Sequence, residues 1–495
     1  MNYLLLLPIL LPILAGVGLL IWAPKSRRAR EVYVLTAALI TTALALCAMI
    51  VSWRYGIGTL TCTLLRFHGN LSVSLRIDGA ATVFGCIVSL LWPLTAVYSF
   101  EYMKHEGAEN RFFGFFTISY GVVLGVAFSS NFLTLYLFYE LMTLSTLPMV
   151  MHSMDQKARY AGKKYLIYSL SGAAFAFIGM VFLMSFGTTL DFTYGGVLDM
   201  TKVVGSEKTL RVAFIGAFFG FGVKAAIFPF HGWLPDASVA PTPVSALLHA
   251  VAVVKAGVFA VMRLTYYGFG TDFLRGSFAQ SVVMAATAIT IVYGSAKALR
   301  TPHLKRRLAY STVSNLSYIL FSVTLMTPAG LTGALTHMVF HAVIKISLFF
   351  CAGAIIYKTG KEYVYDLEGY GKAMPVVMGV FTFGSVALMG VPPLGGFAGK
   401  WCIASAAVAT GHPMAYVGVA ALILSTLLTT LYMMTVVVRA YFPIRGTELP
   451  KAPEVEDPNY RMKVPLLILV TACVVLSLGS NTLISALRQI AEGLV

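Results

Sequence analysis

Apolar residues run along this chain in blocks of about 20, each long enough to cross a hydrocarbon core of roughly 30 Å as a helix. The pattern predicts about fourteen such blocks, at 3–23, 31–52, 79–100, 111–128, 131–152, 163–186, 210–230, 241–267, 279–297, 308–326, 330–357, 374–408, 414–441 and 464–488. They lack the alternation of barrel strands, so the predicted class is an all-α polytopic membrane protein. One stretch between blocks, Arg54 to Asp78, does alternate and predicts a small β-hairpin. The tail after the thirteenth block, "PIRGTELPKAPEVEDPNYRMK", reads as a polar loop.

Two blocks are interrupted. The seventh breaks at "FPFHGWLP", which holds Pro229 and Pro235, and the twelfth at "MGVPPLGGF", which holds Pro392 and Pro393. Proline and glycine remove backbone hydrogen bonds, and such breaks persist at membrane depth only inside protein or beside a wet cavity. The breaks lie five blocks apart, an odd offset that sends the two broken helices in opposite directions. An inverted repeat of blocks 4–8 and 9–13 would have this property. The expected organisation is 1–105 as an N-terminal three-helix segment with the hairpin, 106–270 and 271–445 as two inverted five-helix repeats, and 446–495 as a loop and last helix.

Composition agrees: 58% of the 495 residues are hydrophobic, 11% are charged, and mean hydropathy is +0.81. The first block is too long for a signal-peptide core, and "KSRRAR" follows it instead of preceding it, so it reads as a retained helix. The net charge of +16 raises the question of nucleic acid. Lysine and arginine, however, concentrate in alternate loops, "KSRRAR", "DQKARYAGKK" and "KALRTPHLKRR", which marks a cytoplasmic face in a cell membrane and puts both termini outside. Six single cysteines without metal-ligand spacing, and no nucleotide-cradling glycine motif, leave no cofactor expected in this chain. Any redox chemistry would run through another subunit.

An ionisable group at the centre of a span costs at least a few kcal/mol and is by default functional or paired. Glu140, Lys224, Lys255, Lys345 and Lys400 are such groups. A desolvated lysine takes or releases a proton according to the charge beside it, and Glu140, the only acid placed deep in a span, is the expected partner of one lysine. His337, His341 and Lys345 recur at i, i+4 and i+8, which puts them on one helix face as a candidate proton relay. His249 lies on the same block as Lys255 but off its face, and is a candidate for a step between helices. Thr242 is the expected N-cap of the eighth block, with Pro243 in its first turn.

"KAAIFPFHGWLPDASVAPTPVSALLHAVAVVKAG", "LYLFYELMTLSTLPM", "LKRRLAYSTVSNLSY", "THMVFHAVIKISLFFCAG" and "GVPPLGGFAGKW" closely resemble the antiporter-like subunit family shared by respiratory complex I, membrane-bound hydrogenases and Mrp-type cation/proton antiporters. The likeness covers roughly residues 75–440 and departs at "TPHLKRR", where an acidic residue commonly precedes the leucine-lysine. It implies Glu140 and Lys224 as the intake-side pair, Lys255 and the histidines as a central axis, and Lys400 as the exit-side carrier. It further implies a protein that works beside other membrane subunits, further antiporter-like ones included, and moves H⁺ or Na⁺. The chain also ends soon after its fourteenth block, without the long lateral helix of the largest family members. Three functions follow as expectations: proton translocation in a redox-driven complex, Na⁺/H⁺ exchange in a Mrp-type assembly, and a membrane scaffold that conducts nothing. Five central charges argue against the scaffold, since leucine would serve it better.

Overall fold

The computed structural model describes residues 3–22, 24–56, 58–67, 71–442 and 453–494. Helix α1 spans Leu7–Ile21 and α2 Arg27–Arg54; strands β1 (Thr61–Arg66) and β2 (Ser72–Arg76) then pair antiparallel as the expected hairpin, with a register shift between Thr63 and Leu65. Next come α3 (Gly79–Tyr102), α4 (Glu109–Ala127), α5 (Phe132–Val150), α6 (Gln156–Phe186) and α7 (Glu207–Gly222). Asp78, Asn131 and Asp155 cap α3, α5 and α6 by accepting from backbone N–H groups three residues on.

The eighth block folds as α8 (Thr242–Ala250), α9 (Val253–Met262) and a π-helical end, Arg263–Phe269. Beyond it lie α10 (Phe278–Arg300), α11 (Leu304–Thr324), α12 (Pro328–Thr359), α13 (Pro375–Met389), α14 (Gly395–Ala409), α15 (Pro413–Tyr441), α16 (Tyr460–Leu478) and α17 (Ser480–Ala491). Part of the polar loop before α16 falls at 443–452, outside the described residues.

A helix thus stands at every predicted block. Among the described residues ten helices are long and apolar enough to cross a membrane. α7, α13 and α14 are cut short by the two breaks, and α11 carries "LKRR" and a run of serines and threonines that lower its hydropathy while it stays buried. The centre of the molecule is the eighth block, buried along its whole apolar window, and α12, nearly so. Around them α10 packs on α11 and α15, α12 on α8, α11 and α14, and α6 on α7.

Two expectations fail locally. The fourteenth block is two helices, because the chain leaves helical geometry at Gly479. Thr242 is no N-cap: Pro241 holds that position without a side-chain cap, and the Thr242 hydroxyl is drawn to Tyr102, donating to its phenol oxygen at 3.0 Å.

Candidate functional site

The first break begins earlier than its prolines. α7 ends at Gly222, so Lys224 sits in the break itself, followed by Ala226 in the left-handed region at φ +57°. Pro229 lies in the turn after it and Pro235 in a single helical turn, Trp233–Asp236. Of the two settings in which such a break persists, this one lies inside protein, and side chains take the freed backbone groups: Tyr139 donates to the Phe221 carbonyl at 2.9 Å, Trp233 Nε1 to the Val223 carbonyl at 2.8 Å, and Thr290 Oγ1 accepts from Phe228 N at 3.1 Å. In a buried environment an unpartnered carbonyl is costly, so protein donors replace solvent.

This collar fixes the Lys224 ammonium. Nζ donates to the Tyr139 carbonyl, lies 3.4 Å from the Tyr139 ring centroid and 3.4 Å from Glu140 Oε1. Lys224 is fully buried while the Glu140 side chain is 21% exposed, so the pair has a dry end and an open end. Glu140's partner is therefore Lys224. Gly257 lets α9 close on this segment: a Cβ there would stand 2.6 Å from Ala225 N.

The eighth block is broken where no proline or glycine announces it. Val251 and Ala252 leave helical geometry, both amides reaching back to the Leu247 carbonyl at 3.0 and 2.8 Å. His249 ends α8 and Lys255 begins α9, so the helical offset between them no longer describes their relation. Lys255 Nζ lies 2.5 Å from His341 Nδ1 on α12. His249 stacks on Phe349 with ring centroids 4.7 Å apart, and neither ring nitrogen has a hydrogen-bond partner.

The stripe on α12 divides. His337 and His341 keep their rings together, centroids 6.0 Å apart, and His337 Nε2 meets Asn315 Oδ1 at 3.2 Å. Lys345 departs: its ammonium turns to α11, donating to the Leu308 carbonyl at 3.0 Å and to Ser311 Oγ. A shared helix face sets where a side chain starts, and a lysine's four-carbon stem lets the head go where acceptors are.

At the second break α13 stops at Met389 and α14 starts at Gly395, with Pro392 and Pro393 between. Lys400 is buried, and its ammonium donates to the Leu388 and Met389 carbonyls at 3.1 and 2.8 Å, the open C-terminal end of α13. Cations are favoured at such an end. Lys400 also lies 5.6 Å from the Tyr318 ring centroid, and Tyr318 meets His337 edge-on at 5.4 Å.

Other participants were invisible in the sequence. Tyr139 is an ordinary tyrosine in apolar text, and Asn315 is one amide in a run of serines and threonines. Arg263, fully buried in the π-helical end, makes two hydrogen bonds to Asp78 at 2.6 and 2.7 Å, and three aromatic rings surround it. Lys305 is buried with Nζ 2.6 Å from the Ala240 carbonyl. No three His, Cys, Asp or Glu side chains converge as a metal site among the described residues.

Known proteins share this architecture. A family model described as NADH:quinone oxidoreductase/Mrp antiporter, TM matches residues 129–429, and one described as NADH-Ubiquinone oxidoreductase (complex I), chain 5 N-terminus matches 67–113. NADH-quinone oxidoreductase subunit N of Desulforudis audaxviator is 31% identical over 85% of this chain and 84% of its own length. A probable K(+)/H(+) antiporter protein of Rhizobium meliloti is 31% identical over 83% of this chain, which spans only 40% of that longer protein. A Na(+)/H(+) antiporter protein of Bacillus subtilis is 25% identical over 100% of this chain and 98% of its own.

Two solved structures share the fold at a TM-score of 0.84 each, covering 99% of this chain and 97% of theirs. They are the membrane-bound sulfane sulfur reductase, an archaeal respiratory membrane complex, at 21% identity, and the Mrp complex from Dietzia sp. DQ12-45-1b, at 20%. With more than half of its length inside one family model and a relative above 30% identity matched over most of both chains, the chain belongs to the NADH:quinone oxidoreductase/Mrp antiporter transmembrane family.

Proposed function

We propose that this chain is the proton-translocating, antiporter-like membrane subunit of a multisubunit redox-driven complex of the quinone-reductase or hydrogenase type. The observation that carries this reading is the buried contact of Lys255 with His341, set between two broken helices that each hold a buried lysine. An ammonium–imidazole contact with no acid at hand favours exchange of a proton over a fixed charge pair. In this reading Glu140 and Lys224 load the intake side, Lys255, His249 and the two histidines of α12 form the axis, and Lys400 releases to the exit side. The chain crosses a cell membrane fourteen times with both termini outside, as two inverted repeats within the boundaries 106–270 and 271–445. It carries no cofactor of its own; electrons pass through another subunit, and further antiporter-like subunits stand among its membrane partners.

One observation favours a second reading, a Mrp-type Na⁺/H⁺ antiporter component: the Bacillus subtilis relative matches end to end. The native complex, purified and reconstituted in vesicles with a pH dye, separates the two. Proton movement driven by an electron donor and acceptor, indifferent to sodium, supports the first. Proton movement driven by a sodium gradient alone supports the second, and neither response in a complex whose components are all present removes both.

A further inference from the structure

A groove of about 570 Å³ opens on the outside of the molecule between α6 and α7. Its α6 wall runs from Ile167 to Phe175 and its α7 wall from Gly216 to Val223, and Pro229 and Phe230 of the first break complete the lining. Ile167, Phe175 and Phe230 are exposed, so the groove faces outward. Glycine shapes its floor. A Cβ on Gly172 would fall 2.7 Å from the Gly220 carbonyl oxygen, so the two helices touch backbone to backbone there. A Cβ on Gly216 would meet nothing within 4 Å and would project into open space.

The depth of the groove is that of one leaflet. α6 starts in the basic loop, and its groove residues from Ile167 to Phe175 cover roughly 12 Å at 1.5 Å per residue. Half of a hydrocarbon core is about 15 Å. A helix crossing the bilayer beside α6 would need about twice the groove's length; an acyl chain of the leaflet on the basic-loop side fits within it.

Charge collects at the basic-loop end. There the turn after the first break folds against α6: a Cβ on Gly232 would lie 3.3 Å from Lys164 Nζ and 3.7 Å from the hydroxyl of Tyr168, a groove residue. Asp236 accepts from Lys164 Nζ at 2.7 Å and also from Arg306, at the start of α11. Lys297, in the last turn of α10, lies 5.7 Å from the Tyr293 ring centroid, and Tyr293 meets His231 of the same turn at 4.6 Å. Three cations thus stand around this turn, and the one carboxylate, Asp236, is shared by two of them. Two positive charges are left in excess, and Lys297 and Arg306 are exposed.

We propose that this groove is a binding site for one anionic glycerophospholipid of the leaflet on the basic-loop side, with an acyl chain between α6 and α7 and the phosphate facing Lys164, Lys297 and Arg306. Apolar surface alone would take any lipid; the excess of positive charge at one end selects a negative headgroup. The acyl chain lies against Val223 and Pro229, which bracket Lys224, so the bound lipid packs the outer side of the first break.

The test uses the intact complex in vesicles containing phosphatidylglycerol with a photoreactive diazirine on its acyl chain, followed by peptide mapping of the label. Label should fall on the groove segments 167–175 and 216–230, and unlabelled phosphatidylglycerol should displace it about tenfold better than phosphatidylcholine. Gly216→Leu fills the open space without touching protein, so it should remove most of the label while the complex stays intact on a native gel. The Lys297→Gln/Arg306→Gln double variant leaves the groove itself unchanged and should bring the two lipids to within about twofold of each other. Equal displacement by both lipids in the wild type, or a preference that survives the double variant, overturns headgroup selection and reduces the groove to ordinary bilayer contact. Undiminished label in an assembled Gly216→Leu complex overturns the site. So do groove segments that stay unlabelled in the intact complex, the result expected where a helix of another subunit covers them.

Discussion

Lys255 and His341, 86 residues apart, meet Nζ to Nδ1 at 2.5 Å in the fully buried centre of the molecule. Two groups that both favour protons share this contact, and no carboxylate joins them. Only one of the two is comfortable protonated at a time, because like charges this close in a dry interior repel strongly. The contact is therefore a place where a proton is held by either of two owners. The break at Val251–Ala252 frees Lys255 from α8 and lets it reach α12.

That arrangement makes the histidines of α12 a series path. His341→Ala should remove most proton flux from reconstituted vesicles, and adding His337→Ala should change little more, since a broken path cannot be broken twice. The flux of the two single variants and the double decides it. Singles that keep most of their flux, with losses that multiply independently, would leave the two rings as packing and hydrogen-bonding groups.

Glu140 holds the open end of the first pair. Glu140→Gln should assemble normally, because amide and carboxylate are nearly isosteric, and should lose coupling by at least about tenfold, because only the carboxylate titrates and general acid–base steps are worth that or more. The composition of the complex on a native gel, measured beside flux, separates assembly from coupling. Full pumping by an assembled Gln variant would sink the pairing with Lys224.

The charged members of the site were legible because an ionisable side chain in apolar text has few innocent explanations: Glu140, Lys224, Lys255 and Lys400 all fall inside or beside the two breaks or the central contact. Both breaks were legible from proline and glycine. The Val251–Ala252 break was not, since valine and alanine are ordinary there and tertiary packing alone bends the chain. Lys345 was placed on the right face and misassigned a partner, because periodicity fixes Cβ and not the end of a flexible stem. Tyr318 and Ser425 gave no signal, as hydroxyls are common in membrane helices and only the packing of α10, α11 and α15 joins them. Asp78 and Arg263 lay too far apart in sequence to suggest one another, 185 residues.

Lys224 tests whether the ammonium must let go of its proton. Lys224→Ala should abolish flux, and leaves Glu140 partly exposed and able to hydrate, so the fold should survive. Lys224→Arg keeps a positive charge beside Glu140 yet cannot release a proton, since the guanidinium pKa is above about 12. Arg should therefore restore the thermal midpoint lost in Ala without restoring flux. Recovery of both would mean that Lys224 serves as fixed charge, and that the intake proton travels on Glu140 alone.

The second break depends on close approach of backbone to backbone, and two of its glycines separate stability from transport. A Cβ on Gly396 would fall 1.9 Å from the Ala387 carbonyl oxygen, which is backbone and cannot swing away. A Cβ on Gly399 would fall 2.8 Å from His337 Nδ1 and 3.0 Å from its Cα, so part of the clash is with a ring that can tilt. Overpacking of this kind costs about 1–3 kcal/mol, and the Gly396→Ala variant should sit at or beyond the upper end, with a lowered unfolding midpoint and poor assembly. Gly399→Ala should keep most of its stability and lose flux, because the tilt moves His337 off Asn315 and away from the Tyr318 ring. Thermal unfolding and vesicle flux, measured on both variants, check the ordering. If Gly399→Ala loses stability and flux in the same proportion as Gly396→Ala, the His337 ring has no transport role apart from packing α12 against α14.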